Sequence, residues 1–322
     1  MSAPEPSRHP GRAAGILANT LRIDWATAEV LKSFEAASVR SLLLKGATFA
    51  RWLYNNEDPR PYGDCDLLVR PGDFDRAREV LTALGFEPTY EEGQMPDWWR
   101  EHAVAWLRHS DAVTVDLHHT LQGAGVDDET LWRTLAATSA TVDVGGYPAP
   151  ALTIPGRAVH LVLHAAHHGS AWGPVLDEVE LAVSRVDKVT WTAAASLAEE
   201  LQATPSFAAG LRLVPSGREL ADRLRLPTER PVGIGLRAAT PPPVALGFDQ
   251  LARANGLPAR LAILRHKLFP PRTFMHKWSP RARRGRLGLA LAYAWRPLWL
   301  LKKAPAGFRA WRDARRAQPP GA

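Results

Sequence analysis

One cysteine in 322 residues, Cys65, leaves no pair for an intramolecular disulfide and no thiolate set for a zinc or iron–sulfur site, and it suits a reducing compartment. Long apolar runs are missing too. The longest, Leu287 to Leu301, is broken by Arg296 and Pro297 and falls short of the ~20 apolar residues a bilayer-spanning helix needs. The opening MSAPEPSRHPGR has proline and charge but no apolar stretch, so no secretory signal is expected. No self-similarity is seen at a period of roughly 20–50 residues, as a repeat protein would show. Acid is nearly absent from one segment: residues 257–316 hold 16 Lys/Arg and only Asp313 against them, so this block is +15. Against a total of +7, the rest of the chain is −8. The expectation is a cytoplasmic protein with an acidic body and a basic tail, the tail leaving contact with a membrane surface open.

What is present is ample apolar material, 46% of residues, enough for about two domains of ~150 residues and against a disordered chain. Residues 1–11 read as a disordered leader, and residues 14–37 place apolar positions at helical spacing. Ser41 to Leu44 is a short apolar strand, Lys45-Gly46 a turn, and Ala47 to Tyr54 a helix. Asn55 to Gly63 is a polar loop, and Asp64 to Val69 the next strand. A helix over 71–84 closes at Gly85, a strand follows near Phe86–Tyr90, and Val104–Leu107 and Val113–His118 pair about a turn at Ser110-Asp111. From Pro155 the pattern turns helical, at 156–168, 174–186, 190–202, 206–213 and 216–225, with Pro231–Gly247 a linker or extended crossing. The expected division is leader and first helix 1–37, α/β domain 38–150, helical domain 151–256 and basic tail 257–322.

The chemistry points to Asp64-x-Asp66 and, about fifty residues on, Asp116, each on an expected strand. Residues i and i+2 of a strand share a face, so Asp64 and Asp66 present two carboxylates toward a common cation. Three carboxylates meeting at one point would repel, and a hard divalent ion removes the repulsion. Oxygen donors without thiolates favour Mg²⁺ or Mn²⁺. Eighteen residues upstream, Leu44-Lys45-Gly46-Ala47-Thr48 sits at a strand-to-helix turn, where Gly46 admits close backbone approach and Lys45 or Thr48 can meet phosphate oxygens. Arg60, just ahead of the carboxylates, is a candidate nucleotide-phosphate contact, and His118 shares a strand face with Asp116. Cys65 is expected to face the core and His119 to be structural.

Leu44-Lys45-Gly46, Arg60, Asp64-Cys65-Asp66-Leu67-Leu68-Val69 and Asp116-Leu117-His118 together resemble the uncharacterised nucleotidyltransferases of the polymerase-beta-type superfamily. His164, His167, Trp172 and Asp177 look like that family's later histidine helix with its Trp and Asp. The broader superfamily usually carries Gly-Ser or Gly-Gly where this chain has Lys45-Gly46, a lysine that the nearer family shares. The resemblance implies an α+β fold, a nucleotidyltransferase-like mixed β-sheet with flanking helices, followed by a helical C-terminal region. It implies a Mg²⁺-dependent transfer of NMP from an NTP donor to an acceptor hydroxyl with release of pyrophosphate. Asp64, Asp66 and Asp116 would hold the metal and act in catalysis; Lys45, Gly46, Thr48, Arg60 and His118 would bind nucleotide. The acceptor is unnamed, and by association it belongs to a cell-envelope, exopolysaccharide or peptide natural-product pathway. The alternative is a non-catalytic nucleotide- or nucleic-acid-binding regulator with the same fold.

Other features have more than one reading. His160, His164, His167 and His168 lie at helical spacing but without acidic partners at ligand spacing, so they read as packing or cleft-lining residues before a zinc site. Trp98, Trp99 and Trp106 could stack a base, though with twelve tryptophans core packing is the default. The tail brackets Trp-rich apolar sequence with Arg281–Arg286 and Lys302-Lys303, which fits an interfacial helix on an anionic membrane, with a lid on the acidic body and a nucleic-acid contact as the other readings.

Overall fold

The computed structural model describes residues 10–54, 59–89, 102–169, 173–229, 231–238, 242 and 244–317. The elements of the sheet region are α1 (Pro10–Ala36), β1 (Ser41–Leu43), α2 (Ala47–Leu53), β2 (Asp64–Val69), α3 (Phe74–Ala83), β3 (Glu87–Pro88), β4 (Ala103–Arg108), β5 (Val113–His118), α4 (Asp128–Ala136), β6 (Ala140–Val144) and β7 (Tyr147–Ala151). Helices follow: α5 (Ile154–His168), α6 (Gly173–Arg185), α7 (Lys188–Glu200), α8 (Thr204–Leu211), α9 (Pro215–Arg223), α10 (Val232–Ala238), α11 (Ala245–Arg253), α12 (Gly256–Leu268), α13 (Arg272–Trp278) and α14 (Gly285–Arg316). Two compact units share this chain and interleave along it. One takes Met1–Thr89, Glu101–Leu161 and Glu180–Ala203, and the other Tyr90–Arg100, Val162–Val179 and Thr204–Ala322.

The first unit is built on a seven-stranded mixed sheet in the order β3-β4-β5-β2-β1-β7-β6. β2 and β5 are parallel neighbours, and so are β1 and β7; the remaining pairs are antiparallel. The centre of such a sheet is covered on both faces, so its strands must be apolar nearly throughout. Leu67, Leu68 and Val69 of β2 and Val113, Val115 and Leu117 of β5 are fully buried, and a carboxylate placed among them needs a specific partner. Cys65 lies in this core, as expected, and burial pushes its thiol well above the ordinary range.

Local chemistry sets the ends of the elements. Asp127 and Asp187 cap α4 and α7, accepting from the Thr130 and Thr190 amides at 2.9 and 2.8 Å. Gly85 takes φ +81° just past α3, where the left-handed turn closes the helix. The β6–β7 hairpin has a local sequence signal. Gly145-Gly146, at φ +57° and +78°, forms a two-residue turn with Val144 opposite Tyr147.

In the second unit the segment expected to be a linker is instead helical on both sides, as α10 and α11. Pro231 does not break structure here because it stands ahead of the first turn, where its missing N–H is not needed and its carbonyl accepts from Ile234 and Gly235. Val232, Leu236 and Ala245 then pack with Ala310, Trp311 and Ala314 near the end of α14. Among the described residues no helix is long and apolar enough to cross a membrane.

Candidate active site

The parallel pairing of β2 with β5 aligns Asp66 directly with Asp116, and the neighbouring register sets Asp64 beside Thr114 and Leu68 beside His118. Asp64 and Asp66 therefore share one face of β2, and Asp116 and His118 one face of β5. Asp66, Asp116 and His118 each turn one potential ligand atom to a common point, all within 4.8 Å of one another. It is the one grouping of this kind among the described residues, and it differs from the expected carboxylate triad by taking His118 in place of Asp64. Strand alternation puts His118 on the face of Asp116; that both meet Asp66 follows from the β2–β5 register.

Asp66 is 1% exposed. His118 Nε2 donates to its Oδ1 at 3.0 Å, and the Lys45 ammonium lies 3.2 Å from the same oxygen. Oδ2 of Asp66 is buried with no hydrogen-bond partner among the described residues, and so is Nδ1 of His118. A buried carboxylate oxygen left unpaired is costly, and a hard cation would satisfy it. The donor set fits one: two carboxylates with an imidazole beside them and no thiolate.

The charges in this pocket are interdependent. Burial works against ionising Asp66, but Lys45 and the hydrogen bond from His118 outweigh it and hold the carboxyl well below the usual range. Asp116 goes the other way, pushed up to about 6 by burial and by the charge of Asp66. Asp64 is raised by burial and Asp66, partly offset by Lys45 and Arg60. Burial opposes the charge on Lys45, yet Asp66 and Asp64 more than compensate and raise its pKa.

The turn expected to hold phosphate is formed as the sequence suggests, with one exception. Gly46 stands at the start of α2 with φ +68° and ψ −113°, a conformation that L side chains avoid, and its carbonyl accepts from Ala50. A Cβ there would lie 3.4 Å from both the Asp64 carbonyl and the Tyr62 ring. Gly46→Ala is therefore expected to cost about 2 kcal/mol of stability, read from urea unfolding. Lys45 reaches from this turn to Asp66 and, at 3.7 Å, to Asp64. Thr48 is the exception. Its side chain is fully buried and its single hydroxyl hydrogen is donated to the Leu44 carbonyl at 2.7 Å, so it braces the turn and does not face solvent. Arg60 has its guanidinium over the Phe49 ring, 5.6 Å from the centroid, close enough to act electrostatically on Asp64.

Several residues around this pocket escape sequence reasoning. Asp24 on α1 accepts from Tyr62 Oη at 2.5 Å and from Arg51 at 3.0 Å, while Asn19 donates to the Tyr62 carbonyl. This network fixes Tyr62 against Gly46, and a lone acid within a helical pattern gave no hint of it. His102 and His160 stand near His118, with ring centroids 5.2 and 6.5 Å away. Burial, then the charge of His118, pushes both down to about 3. With folded values below an unfolded value of 6.5, each is neutral in both states above pH 6.5. Between pH 6.5 and 3 the unfolded chain takes up protons that the folded chain refuses, and stability falls by about 1.4 kcal/mol per pH unit per group. Asp116, raised to about 6, works in the opposite sense over part of this window, so the readout is a difference: in urea unfolding, His160→Leu is expected to lose stability less steeply than wild type as pH falls, by one proton.

Other histidines have partners of their own. His119 is buried and pairs with Asp128 at 3.2 Å, the structural role expected of it. In the second unit the rings of His164, His167 and His168 pack on one another, 4.5 and 5.1 Å between centroids, and Arg237 donates to the His167 carbonyl. Asp177 is exposed on α6, and Trp172, Trp98 and Trp99 lie outside the described residues. Trp106 is buried in the sheet, as core packing requires.

The profile of a family described as uncharacterised nucleotidyltransferase matches residues 10–216, well over half of the chain and all of the site. The chain belongs to the uncharacterised nucleotidyltransferases. This nucleotidyltransferase matches none of the proteins of curated function. Among solved structures, that of the antibiotic-resistance factor ANT(2'')-Ia is similar over 57% of this chain and 94% of its own, at 13% identity and a TM-score of 0.40. An antigenic nucleotidyltransferase-like protein from Paracoccidioides brasiliensis is similar over 56% and 93%, at 13% identity and a TM-score of 0.36. By its family the protein is a transferase, and its mixed sheet brings two aspartates and a histidine to one point.

Proposed function

We propose that this nucleotidyltransferase moves an NMP from an NTP to an acceptor hydroxyl and releases pyrophosphate, with Mg²⁺ or Mn²⁺ held by Asp66 and Asp116, beside His118, and shared by Asp64. The observation that carries the reading is the buried Asp66 carboxylate in register with Asp116, its Oδ2 without a hydrogen-bond partner among the described residues. When bound, the ion neutralises the phosphates and favours ionisation of the attacking hydroxyl. The chain's own residues do the positioning. Lys45 balances the carboxylates and stands at the turn where phosphate oxygens would approach. Gly46 lets that backbone come close, and Arg60 adds a positive charge on the side of Asp64. Asp116 orients the acceptor hydroxyl or takes its proton. His118 fixes Asp66 in place through its hydrogen bond. A bond then forms from the acceptor oxygen to the α-phosphorus while the α–β bridge breaks and pyrophosphate leaves. Preorganised charge and orientation supply most of the rate.

The acceptor we infer is a small molecule, a peptide or an envelope precursor. We infer that the reaction runs in the cytoplasm, with the basic C-terminal segment as the part of the chain that meets an anionic membrane surface. Incubation with α- and γ-labelled ATP and a cell extract tests the reaction class. The expected product carries the α-label on the acceptor and the γ-label in pyrophosphate. A γ-labelled acceptor would show phosphoryl transfer instead.

A further inference from the structure

Along one stretch of α14 the exposed residues are the wrong kind for a water-facing helix. Between Leu287 and Leu301 every exposed position is leucine, alanine or tryptophan. Leu287 is 75% exposed, Leu298 57% and Leu301 70%. At 100° per residue, Leu287, Leu291, Trp295, Leu298 and Leu301 fall within an arc of about 120°, and the buried Ala292 and Arg296 lie on the opposite face. That inner face is fully engaged. Arg296 donates to the Lys267 carbonyl at 2.7 Å and lies over Phe274 and Trp278, while Ala292 packs with Met275 and Ala282. The stripe is thus held outward by a well-packed back. Its length is about 21 Å. α12 repeats the pattern with exposed Leu257, Leu261 and Leu264 at helical spacing.

The charge around the stripe is of one sign. Arg281, Arg283, Arg284 and Arg286 are exposed ahead of it and Lys302, Arg309, Arg315 and Arg316 after it, and no acid occurs between Asp249 and Asp313. These two features together select the occupant. A second copy of the chain would bring two +15 segments face to face. A nucleic acid would meet the arginines and leave the leucines in water. An anionic bilayer takes both, the cations at its phosphates and the leucines and tryptophan at the acyl boundary.

We propose that the exposed apolar face of α14, with the cations at its two ends, is an interfacial docking surface that lays this nucleotidyltransferase on an anionic membrane without crossing it. The surface deepens the membrane-facing location given above and is independent of the catalytic site, so either can fail alone. Flotation of the full chain with vesicles tests it, using phosphatidylcholine alone and phosphatidylcholine with about a third phosphatidylglycerol. Binding to the anionic vesicles is expected, weakened by high salt and nearly absent with phosphatidylcholine. Leu291→Glu/Leu298→Glu and the uncharged Leu291→Gln/Leu298→Gln are each expected to lower partition at least about tenfold. Both positions are exposed, so unchanged melting is expected of both variants. Failure to bind anionic vesicles, or full binding by the glutamine variant, overturns the proposal. So does a wild-type dimer that the variants dissociate, or polynucleotide binding in place of vesicle binding.

Discussion

Asp66→Asn is expected to lower pyrophosphate release from NTP by about a thousandfold or more per folded molecule. The substitution keeps the shape of the side chain and removes only its charge. That charge is what Lys45 at 3.2 Å and His118 at 3.0 Å are arranged around, and what the unpaired Oδ2 would offer to a cation. Asparagine presents a neutral oxygen at best, which binds a hard ion far more weakly than a carboxylate. Breaking one member of a buried ion pair also costs about 3 kcal/mol, so the folded fraction must be measured beside the rate. Asp64→Asn is the useful comparison. Its side chain is 38% exposed and lies 3.7 Å from Lys45, so the stability loss should be small. Activity surviving intact in Asp66→Asn would remove Asp66 from the chemistry.

Lys45→Met is expected to melt of order 10 °C below wild type and to regain most of that loss on addition of Mg²⁺ or Mn²⁺. The lysine is the internal countercharge for two aspartates, and a third carboxylate, Asp116, is aligned with Asp66 on the next strand. Without the ammonium, three carboxylates face one another in a place that burial already makes unfavourable for charge. A divalent ion replaces the missing charge, so its stabilising effect should be larger in the variant than in wild type. A variant that melts low and ignores divalent ions would mean that the carboxylates do not share a cation site.

How much of this was legible beforehand depended on the range of the interaction. The strand at Asp64–Val69, the glycine turn at Gly46 and the alternation that faces Cys65 into the core are local, and the sequence shows them directly. The family motif also located Asp116, but whether it met Asp66 hung on strand order, which no window of sequence contains. The parallel β2–β5 pairing decided it, and the same pairing brought His118 within ligand distance of Asp66 and Asp116. Thr48 looked like a phosphate ligand because a hydroxyl near a helix start often is one; its partner, the Leu44 carbonyl one turn back, is visible only in the folded turn. The Asp24–Tyr62–Arg51 network was hidden because its members lie far apart in sequence. Pro231–Gly247 misled for a different reason, since proline ahead of a first turn and proline in a linker look alike.

One cation site shared by β2 and β5 is proposed to recruit the NTP. Calorimetric titration of each NTP, with and without Mg²⁺ or Mn²⁺, into wild type and Asp64→Asn/Asp66→Asn tests it most directly. The expected result is nucleotide binding by wild type only when the divalent ion is present, and loss of that dependence in the double variant. Metal-dependent binding that persists unchanged in the double variant would contradict it.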